Sequence, residues 1–354
     1  MNAPASATAA RRRDRRVYLR SHPVLFALLC ATRHRPVVRI GRTVLVHGTD
    51  AYREALTRVP LDRTADGTTG GAAARLTDGG LLFDQEGDDH RAARRAVADG
   101  INSGAQKRIR PLWQAVLAAR VPALATGTLE LVDLTEELAG VTAAALVVSD
   151  ACPRQLACAA RAAAAAAARD HLPGPRRRRR GAGTAEAARL TALLPDPRDA
   201  MLAVAAVNTT LAAVPRAVAW CADAGLWPTV DETTAPRLAA ELLRLTAPSP
   251  LLPRVAAADA TVAGRPVRAG DRLILVARHA ARAHQRTPAD SPAATQAVFG
   301  AGPHACPGAG LARTQLADVL VALAHHRPVV TRARVDRRSA LPGYAELTLR
   351  RGTP

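Results

Sequence analysis

The chain has 354 residues, of which 48% are hydrophobic, so it is long enough to bury a large core in one large domain or in two of ordinary size. Its 49 basic and 30 acidic residues give a formal net charge of +19, and every basic residue except Lys107 is arginine. Aromatic residues make up only 3% of the chain, and no zinc-finger, RNA-binding or helix-turn-helix motif accompanies the charge, so we expect no nucleic-acid partner.

Two features bear on the compartment in which the protein works. No apolar run reaches the roughly 20 residues that a membrane-spanning helix requires, and residues 23–31, an early apolar segment, are followed by Thr-Arg-His-Arg rather than by a cleavage site of small residues. The five cysteines form no Cys-x-x-Cys pair, which is atypical of disulfide frameworks and zinc sites. We therefore expect a cytoplasmic protein that does not enter the membrane, with export as the alternative.

The N-terminal part combines a charged tail with a small β region. Residues 1–16 are rich in arginine and alanine and are predicted to be a disordered basic tail. Residues 37–40 and 43–46 are β-branched segments around a tight turn, which predicts a hairpin. Thr49 and Asp50 then offer an N-cap for a short helix.

The middle of the chain is dominated by helical patterns. A glycine-rich loop at residues 66–80 precedes them, and they extend over residues 89–170. The alanine-rich segment at residues 158–170 has strong helix propensity but little side-chain volume to pack with. Five consecutive arginines at residues 176–180 predict a solvated loop, with contact to an acidic carrier protein or a charged substrate as the alternative.

The central apolar segment at residues 201–214 carries a polar trio, Asn208, Thr209 and Thr210, and such groups in a buried helix must find partners or take part in chemistry. Pro215 is predicted to kink or end this helix. Short strands follow at residues 261–262, 272–276, 328–330 and 346–350. The pattern predicts one domain over residues 17–354, mainly α with small β-sheets, an α+β chain.

Near the C-terminus a single thiol is surrounded by special backbone. Cys306 lies among four glycines and two prolines and precedes a helical pattern, so it is predicted to stand where a loop enters a helix. Backbone N–H groups and the positive helix end favour a thiolate there. Such a thiolate can act as a nucleophile, with His304 as its base, or as the ligand of a metal such as haem iron.

This segment resembles the haem-binding signature of the cytochrome P450 superfamily, Phe-Gly-x-Gly-x-[His/Arg]-x-Cys-x-Gly. Every fixed position of the signature is matched, by Phe299, Gly300, Gly302, His304, Cys306 and Gly308. The resemblance, closest to the soluble bacterial haem-thiolate enzymes, implies that Cys306 is the axial ligand of the iron of haem b. It also implies the cytochrome P450 fold, in a short and divergent form.

Other segments extend the resemblance. Glu241 and Arg244 match the family's Glu-x-x-Arg pair, which stabilises the core on the haem side, and Arg254 stands where an arginine contacts a haem propionate. His90 and Arg94 match the family's His-x-x-x-Arg pair, and the resemblance makes both of them propionate partners, together with His304.

The polar trio in the central segment aligns with the family's oxygen-pocket motif, [Ala/Gly]-Gly-x-[Asp/Glu]-Thr-[Thr/Ser]. Ala205 and Ala206 take the small-residue positions, and Thr209 keeps the alcohol, which Thr210 follows. Asn208 replaces the usual acid, and asparagine cannot relay a proton by ionising. The resemblance therefore implies hydroxylation, with oxidative coupling or cyclisation as an outcome that the asparagine favours.

Two regions depart from the family pattern. Residues 277–298 lack the usual Pro-x-x-Phe-x-Pro-x-Arg-Phe meander, and residues 151–199, where the lid helices are expected, are alanine-rich and interrupted by the arginine run. We therefore expect shortened lid-helix and meander regions. The resemblance implies a pocket lined by residues 66–82, 204–209, 247–252 and the turn near Leu341, which are mainly small and aliphatic. Such a lining suits an apolar or amphipathic substrate of the secondary-metabolite kind, whether a small molecule, a peptide or a carrier-bound compound.

The resemblance implies a monomeric monooxygenase that uses O₂ and electrons from NAD(P)H. No flavin or iron–sulfur segment is evident in the chain, so the electrons are expected from a separate ferredoxin and ferredoxin reductase. Two alternatives remain open: a peroxide-driven or isomerising haem-thiolate enzyme, and a catalytically idle binding protein with a shortened version of the fold.

Overall fold

The structure is a computed structural model, and it describes residues 3–62, 64–68, 71, 87–171, 182–285 and 292–352. Most of the glycine-rich loop expected at residues 66–80 and the whole arginine run at residues 176–180 lie outside the described residues. So do residues 286–291 of the region where the meander was expected.

Helices make up most of the described chain. In chain order they are α1 (Ala3–Ser21), α2 (Pro23–Thr32), α3 (Thr49–Thr57), α4 (Gly87–Ile101), α5 (Ser103–Arg120), α6 (Leu131–Leu146), α7 (Pro153–His171), α8 (Ala182–Thr191), α9 (Ala200–Ala224), α10 (Ala235–Thr246), α11 (Ala277–Ala280), α12 (Pro292–Gln296) and α13 (Ala309–Ala324). Short 3₁₀ turns occur at Val121–Ala125, Pro197–Asp199, Trp227–Thr229, Ala297–Phe299 and Gly302–His304.

The strands are short. In chain order they are β1 (Val37–Ile40), β2 (Thr43–Val46), β3 (Leu61–Asp62), β4 (Thr128–Glu130), β5 (Leu252–Ala256), β6 (Ala260–Val262), β7 (Arg265–Val267), β8 (Arg272–Leu275), β9 (Val329–Asp336) and β10 (Gly343–Arg350). The predicted mainly α architecture with small β-sheets is confirmed.

The chain divides into two compact units. The first comprises Met1–His22, Gly100–Leu242 and Gly310–Pro354, and the second comprises Pro23–Asp99 and Leu243–Ala309. The single haem domain expected over residues 17–354 stays a prediction.

The first unit is built around small side chains. Alanines and a few larger apolar residues of α6, α7, α8 and α9 form one buried cluster. A Cβ on Gly140 would lie 2.3 Å from the carbonyl oxygen of Pro153, so α6 and the start of α7 approach each other too closely for a side chain there. The alanine-rich helix α7 was expected to have little to pack with, but Ala157 and Ala160 are fully buried. A three-stranded antiparallel sheet of order β4-β10-β9 completes the unit.

The second unit contains a five-stranded sheet of order β1-β2-β8-β5-β3. The predicted hairpin is present as β1 and β2, and β2 pairs in parallel with β8. The predicted cap of α3 is wrong: Gly48 is the N-cap residue, and the hydroxyl of Thr49 donates to the carbonyl of Ala280 at 2.7 Å. That hydroxyl therefore fixes α3 on the last residue of α11.

The expected disorder of residues 1–16 is contradicted over residues 3–16, which belong to the helix α1. The reason lies far along the chain. Asp14 and Arg216 form a salt bridge of 2.7 Å whose side chains are 3% and 0% exposed, and Ala10 is also buried. A buried ion pair with complementary geometry holds the arginine-rich segment against α9.

Pro215 neither ends nor shortens the central helix, so that part of the prediction is wrong, whereas a kink at Pro215 stays a prediction. Helix α9 continues to Ala224 and ends at Gly225, which has the left-handed conformation of a helix C-terminus. A proline in a helix interior costs about 3 kcal/mol, because it removes one backbone donor. Every residue from Ala212 to Cys221 is buried, and this packing offsets the cost.

The segment Pro197–Ala224 is the one helical stretch of the described chain that is long and apolar enough to cross a membrane. Its most apolar window of 18 residues is 61% buried inside the protein, as in the core helix of a globular fold. Length and composition alone therefore carry little weight for a membrane span here.

Candidate functional site

The predicted thiol stands in the second unit on a loop that we call the cysteine loop, residues 300–308. The N–H of Cys306 donates to the carbonyl of Phe299 at 2.7 Å, and the N–H of Ala305 donates to that of Gly302 at 3.1 Å. Cys306 is exposed, and α13 begins three residues later at Ala309. The predicted position of the cysteine, where a loop enters a helix, is confirmed.

Two glycines of this loop are required by its backbone. Gly300 has φ 77° and ψ −166°, a region that is essentially restricted to glycine. Gly302 has φ 69°, and a Cβ there would lie 3.1 Å from Cγ2 of Thr57. Gly308 is different, because a Cβ there would meet the Cys306 Sγ at 3.8 Å, an ordinary contact. Neither a positive φ nor a steric clash therefore requires glycine at position 308.

Arg94 joins the cysteine loop directly. Its Nη1 donates to the carbonyl oxygen of Ala305 at 2.6 Å, and its side chain is half-buried. A bond from a charged guanidinium is stronger than one between neutral groups. Arg94 thus fixes the residue before Cys306. His90 lies one turn earlier on α4, and its side chain is outside what the structure describes.

Two further cations were predicted for this site. His304 is half-buried at the end of the 3₁₀ turn Gly302–His304. Arg254 is half-buried on β5, where its Nη1 donates to the carbonyl of Pro253 at 2.8 Å.

Tyr52 on α3 lies near Arg254 and contacts the turn before the cysteine loop, and no sequence motif marks it. Its hydroxyl donates to the carbonyl of Ala297 at 3.0 Å. Burial raises the pKa of Tyr52 above its usual range, and the nearby charge of Arg254 acts in the opposite direction. The hydroxyl therefore stays protonated and holds the turn that leads into the cysteine loop.

The Glu-x-x-Arg pair lies on α10. Arg244 is 0% exposed, and its Nη1 donates to the carbonyls of Ala281 at 2.8 Å and Arg282 at 3.0 Å. Arg278 returns a bond to the carbonyl of Thr246 at 2.9 Å. Glu241 is half-buried one turn before Arg244. Arg244 is thus a buried structural cross-link to the segment after α11.

The polar trio of α9 belongs to the first unit, and two of its members bond to backbone carbonyls. Nδ2 of Asn208 donates to the carbonyl of Ala160 on α7 at 3.2 Å and to that of Val204 at 2.9 Å. The hydroxyl of Thr209 donates to the carbonyl of Ala205 at 2.7 Å. Thr210 and Ala206 are half-buried. Because an amide nitrogen has two hydrogens, both donors of Asn208 are engaged.

The residues of the second unit fit a prosthetic group that carries a metal and acidic edges. In the described chain no cluster of three or more His, Cys, Asp or Glu side chains forms a metal site, so a metal held by Cys306 must bring most of its ligands with it. An exposed thiol offers one soft ligand, Arg94 and Arg254 supply positive charge for carboxylates, and the His304 imidazole can donate a hydrogen bond to them. Haem has both properties, so the donor set fits it.

No protein-family model matches the sequence, and no curated protein matches it. Solved structures do. P450BioI in complex with an acyl carrier protein ligated with hexadec-9Z-enoic acid has a TM-score of 0.74 and 17% identity, with 94% of this chain and 99% of that chain covered. The P450 heme domain of Tepidiphilus thermophilus has a TM-score of 0.72 and 17% identity, covering 92% and 93%.

CYP109E1 from Bacillus megaterium, in complex with testosterone, has a TM-score of 0.71 at 17% identity, with 95% of this chain and 100% of that chain covered. The likeness therefore extends over nearly the whole chain in each comparison, although few residues are identical. Together with the cysteine loop, it leads to one conclusion about the architecture: the chain has the cytochrome P450 fold.

Proposed function

We propose that the protein is a haem-thiolate oxidoreductase of the monooxygenase type. The observation that carries the proposal is the cysteine loop, in which a glycine-dependent backbone and the bond from Arg94 to Ala305 present Cys306 as an exposed thiol. The cytochrome P450 fold supports it, since the loop occurs within that fold.

Haem b, when bound, supplies an iron that binds and activates O₂. Cys306 would hold the iron as a thiolate, with Phe299, Gly300 and Gly308 beside it. His90, Arg94, Arg254 and His304 would hold the carboxylates. Arg94 has two tasks in this arrangement, because one nitrogen already fixes the Ala305 carbonyl and its other N–H groups remain for a carboxylate.

On α9 we assign to Thr209, Asn208 and Thr210 the oxygen-side roles that the motif implies, with Ala205 and Ala206 lining the same stretch. The hydroxyl of Thr209 donates its hydrogen bond to the carbonyl of Ala205, so its oxygen remains as an acceptor for water. Asn208 neither ionises nor has a free N–H, and only its Oδ1 remains to orient water. Proton delivery on this side would then use water, Thr210 or the substrate itself, and the lack of an ionisable group at Asn208 favours oxidative coupling or cyclisation over plain hydroxylation.

For the substrate we propose an apolar or amphipathic molecule of the secondary-metabolite kind. Two of the compared structures hold apolar or amphipathic compounds, testosterone in one and hexadec-9Z-enoic acid on an acyl carrier protein in the other. A carrier-bound substrate is therefore included in the proposal. The remaining parts of the proposal are a ferredoxin and ferredoxin reductase delivering electrons from NAD(P)H, a monomeric state and a cytoplasmic location.

A peroxide-driven reaction is the second candidate, and the geometry of Asn208 favours it. Both amide hydrogens of Asn208 are bound to carbonyls, so α9 offers no acidic side chain at the place where the family delivers protons. Peroxide supplies both the oxygen and the protons, so a peroxide-driven reaction does not require an acidic side chain on α9 to deliver them.

The experiment that tests the proposal is the absorption spectrum of the reduced, CO-bound protein reconstituted with haem. We expect the red-shifted band of thiolate-ligated haem in the parent and in Cys152→Ser, a matched control at another exposed cysteine, and its loss in Cys306→Ser. Equal spectra for the two variants would overturn the proposal. Turnover with a surrogate ferredoxin system against turnover with peroxide then separates the two candidates.

A further inference from the structure

The first unit contains a groove that none of the residues assigned above lines. It consists of two cavities of about 1050 Å³ and 540 Å³, which share Val321, His325 and His326. The groove therefore follows the C-terminal half of α13 and continues past its end.

The larger cavity is walled mainly by apolar side chains, among them Leu117, Val121, Pro122, Pro236, Ala317 and Val321. One of its two carboxylates, Asp318, is already neutralised. It accepts hydrogen bonds from Arg110 at 2.7 Å and from the indole of Trp113 at 2.8 Å. This part of the groove offers a long apolar wall.

The smaller cavity has the opposite character. It is lined by His325, His326, Arg327 and Arg351 beside Trp227, and within the described chain it has no acidic lining residue. His326 is only 5% exposed, and its Nδ1 has no hydrogen-bond partner among the described residues. A buried polar atom without a partner costs about 1–3 kcal/mol unless a ligand or water completes it.

Backbone contacts fix these residues in place. The N–H of Gly352 donates to the carbonyl of His326 at 3.1 Å, and a Cβ on Gly352 would lie 2.2 Å from the carbonyl oxygen of Arg327. Glycine at this position lets the chain approach so closely that Arg351 stands beside His326. The indole of Trp227 donates to the carbonyl of Pro328 at 2.9 Å and holds the facing wall.

Arg327 adds a second guanidinium to this end of the groove. It follows α13 and lines the smaller cavity together with Arg351. The positive charges of the two arginines therefore add where the apolar wall ends.

We propose that this groove binds an amphipathic anion, with an apolar chain along α13 and a carboxylate or phosphate headgroup at His326, Arg327 and Arg351. The apolar wall, the unpartnered imidazole nitrogen and the cations at one end match the two parts of such a ligand. The proposal concerns residues of the first unit alone and does not depend on haem.

The test is a binding titration of the full chain with decanoate, decyl phosphate and 1-decanol. Calorimetry and tryptophan fluorescence detect the binding. We expect at least one anion to bind roughly tenfold more tightly than the alcohol, since each bond from a charged donor is worth a large part of such a factor. The better of the two anions identifies the headgroup. Equal binding of the alcohol, or no binding of either anion, overturns the proposal.

Variants locate the site. Arg351 is exposed, so Arg351→Ala is expected to fold and to weaken anion binding about threefold to tenfold. Arg189→Ala, an exposed arginine on α8, is the matched control and leaves the affinity unchanged. Trp227→Phe is expected to reduce the fluorescence response, because Trp227 lines the smaller cavity. Equal affinities for the two arginine variants overturn the proposal.

Discussion

The cysteine loop and the helix α9 hold their polar residues in opposite ways. In the loop, backbone bonds between near neighbours set the position of an exposed side chain, as between Cys306 and Phe299. On α9, buried side chains bond to groups far along the sequence: Asn208 to Ala160, 48 positions away, and Arg216 to Asp14, 202 positions away. The loop can therefore be recognised from spacing, whereas the role of a polar residue on α9 depends on a partner that spacing does not reveal.

The largest expected effect comes from breaking the most distant of these contacts. Arg216→Ala leaves Asp14 as a buried charge without its cation, and we expect the free energy of unfolding to fall by about 3–5 kcal/mol. Chemical denaturation measures it. The double variant Asp14→Leu with Arg216→Met should recover most of the loss, because it removes both charges.

The matched control for Arg216 is Arg198, which forms an exposed ion pair with Asp196. Arg198→Ala should change stability little, since exposed pairs are screened by water. If Arg216→Ala were as mild as Arg198→Ala, the docking of α1 on α9 would be wrong and the predicted disordered tail would be restored.

The same contrast explains which predictions succeeded. The hairpin and the cysteine loop follow from local signals, namely β-branched residues around a turn and glycines where the backbone requires them. Helix α1 was missed because its arginine-rich sequence resembles a solvated tail, and only the distant Arg216 makes it part of the fold. Pro215 was misjudged because local propensity does not include the burial that surrounds it.

Within the site, the sequence identified residue types more reliably than their partners. Arg94 was predicted to meet a carboxylate, and the structure adds its bond to Ala305 in the cysteine loop. Tyr52, which supports the turn before the loop, carries no motif and could not be recognised from sequence. The assignment of roles on α9 remains a proposal, because hydrogen bonds across helices decide it.

A buried histidine pair in the second unit also depends on residues that are far apart in the sequence, as the contacts of α9 do. The Nδ1 atoms of His47 and His279 lie 2.9 Å apart, and Thr32 contacts Nε2 of His47 at 3.0 Å. Burial lowers the pKa of His47 to about 4, with a further contribution from His284. Burial, followed by His47, His284, Arg278 and Arg33, lowers the pKa of His279 to about 2.

These shifts predict a loss of stability in mild acid. The folded pKa values lie below the unfolded value of about 6.5, so the unfolded chain binds protons first as the pH falls. Stability is complete above pH 6.5 and declines through the window down to the folded values, by about 1.4 kcal/mol per histidine for each pH unit.

Unfolding free energies at pH 7.5 and 5.5 check this expectation. The loss of unfolding free energy between pH 7.5 and pH 5.5 should be smaller in His47→Gln than in the parent. It should be unchanged in His34→Gln, a control at an exposed histidine. An unchanged difference in His47→Gln would show that the pair does not cause the acid sensitivity.

A smaller effect is expected from the backbone of the cysteine loop. Gly300→Ala places a Cβ in a conformation that only glycine adopts readily, at a cost of about 1–3 kcal/mol. The loop must then shift, and haem binding should weaken with it. Gly100→Ala is the matched control, because a Cβ on Gly100 meets nothing within 4 Å and Gly100 lies outside the cysteine loop. Haem titration and thermal unfolding measure both variants, and equal behaviour would mean that the loop does not depend on its glycine backbone.

The smallest effect, and the one that decides between two roles, is expected at Asn208. In Asn208→Asp an ionised carboxylate would face the carbonyls of Ala160 and Val204, to which the amide now donates. We expect a loss of about 1–2 kcal/mol at pH 7.5, because two hydrogen bonds are removed. Relative to the parent, the loss should shrink as the pH falls toward 5, since a protonated acid can donate one of them.

Thr210→Ala, at the neighbouring half-buried position, controls for general disturbance of α9 and should change stability less. If Asn208 instead served mainly in proton delivery, Asn208→Asp would leave stability intact and raise the fraction of electrons that reach product rather than peroxide. Denaturation and the ratio of product to peroxide, measured on the same variant, therefore show whether Asn208 mainly links α7 and α9 by hydrogen bonds or mainly serves in proton delivery. A loss of stability that shrinks in acid, with no rise in the ratio of product to peroxide, identifies the structural role. Protonation of the introduced carboxylate would then restore one of the two hydrogen bonds between α9 and its partners.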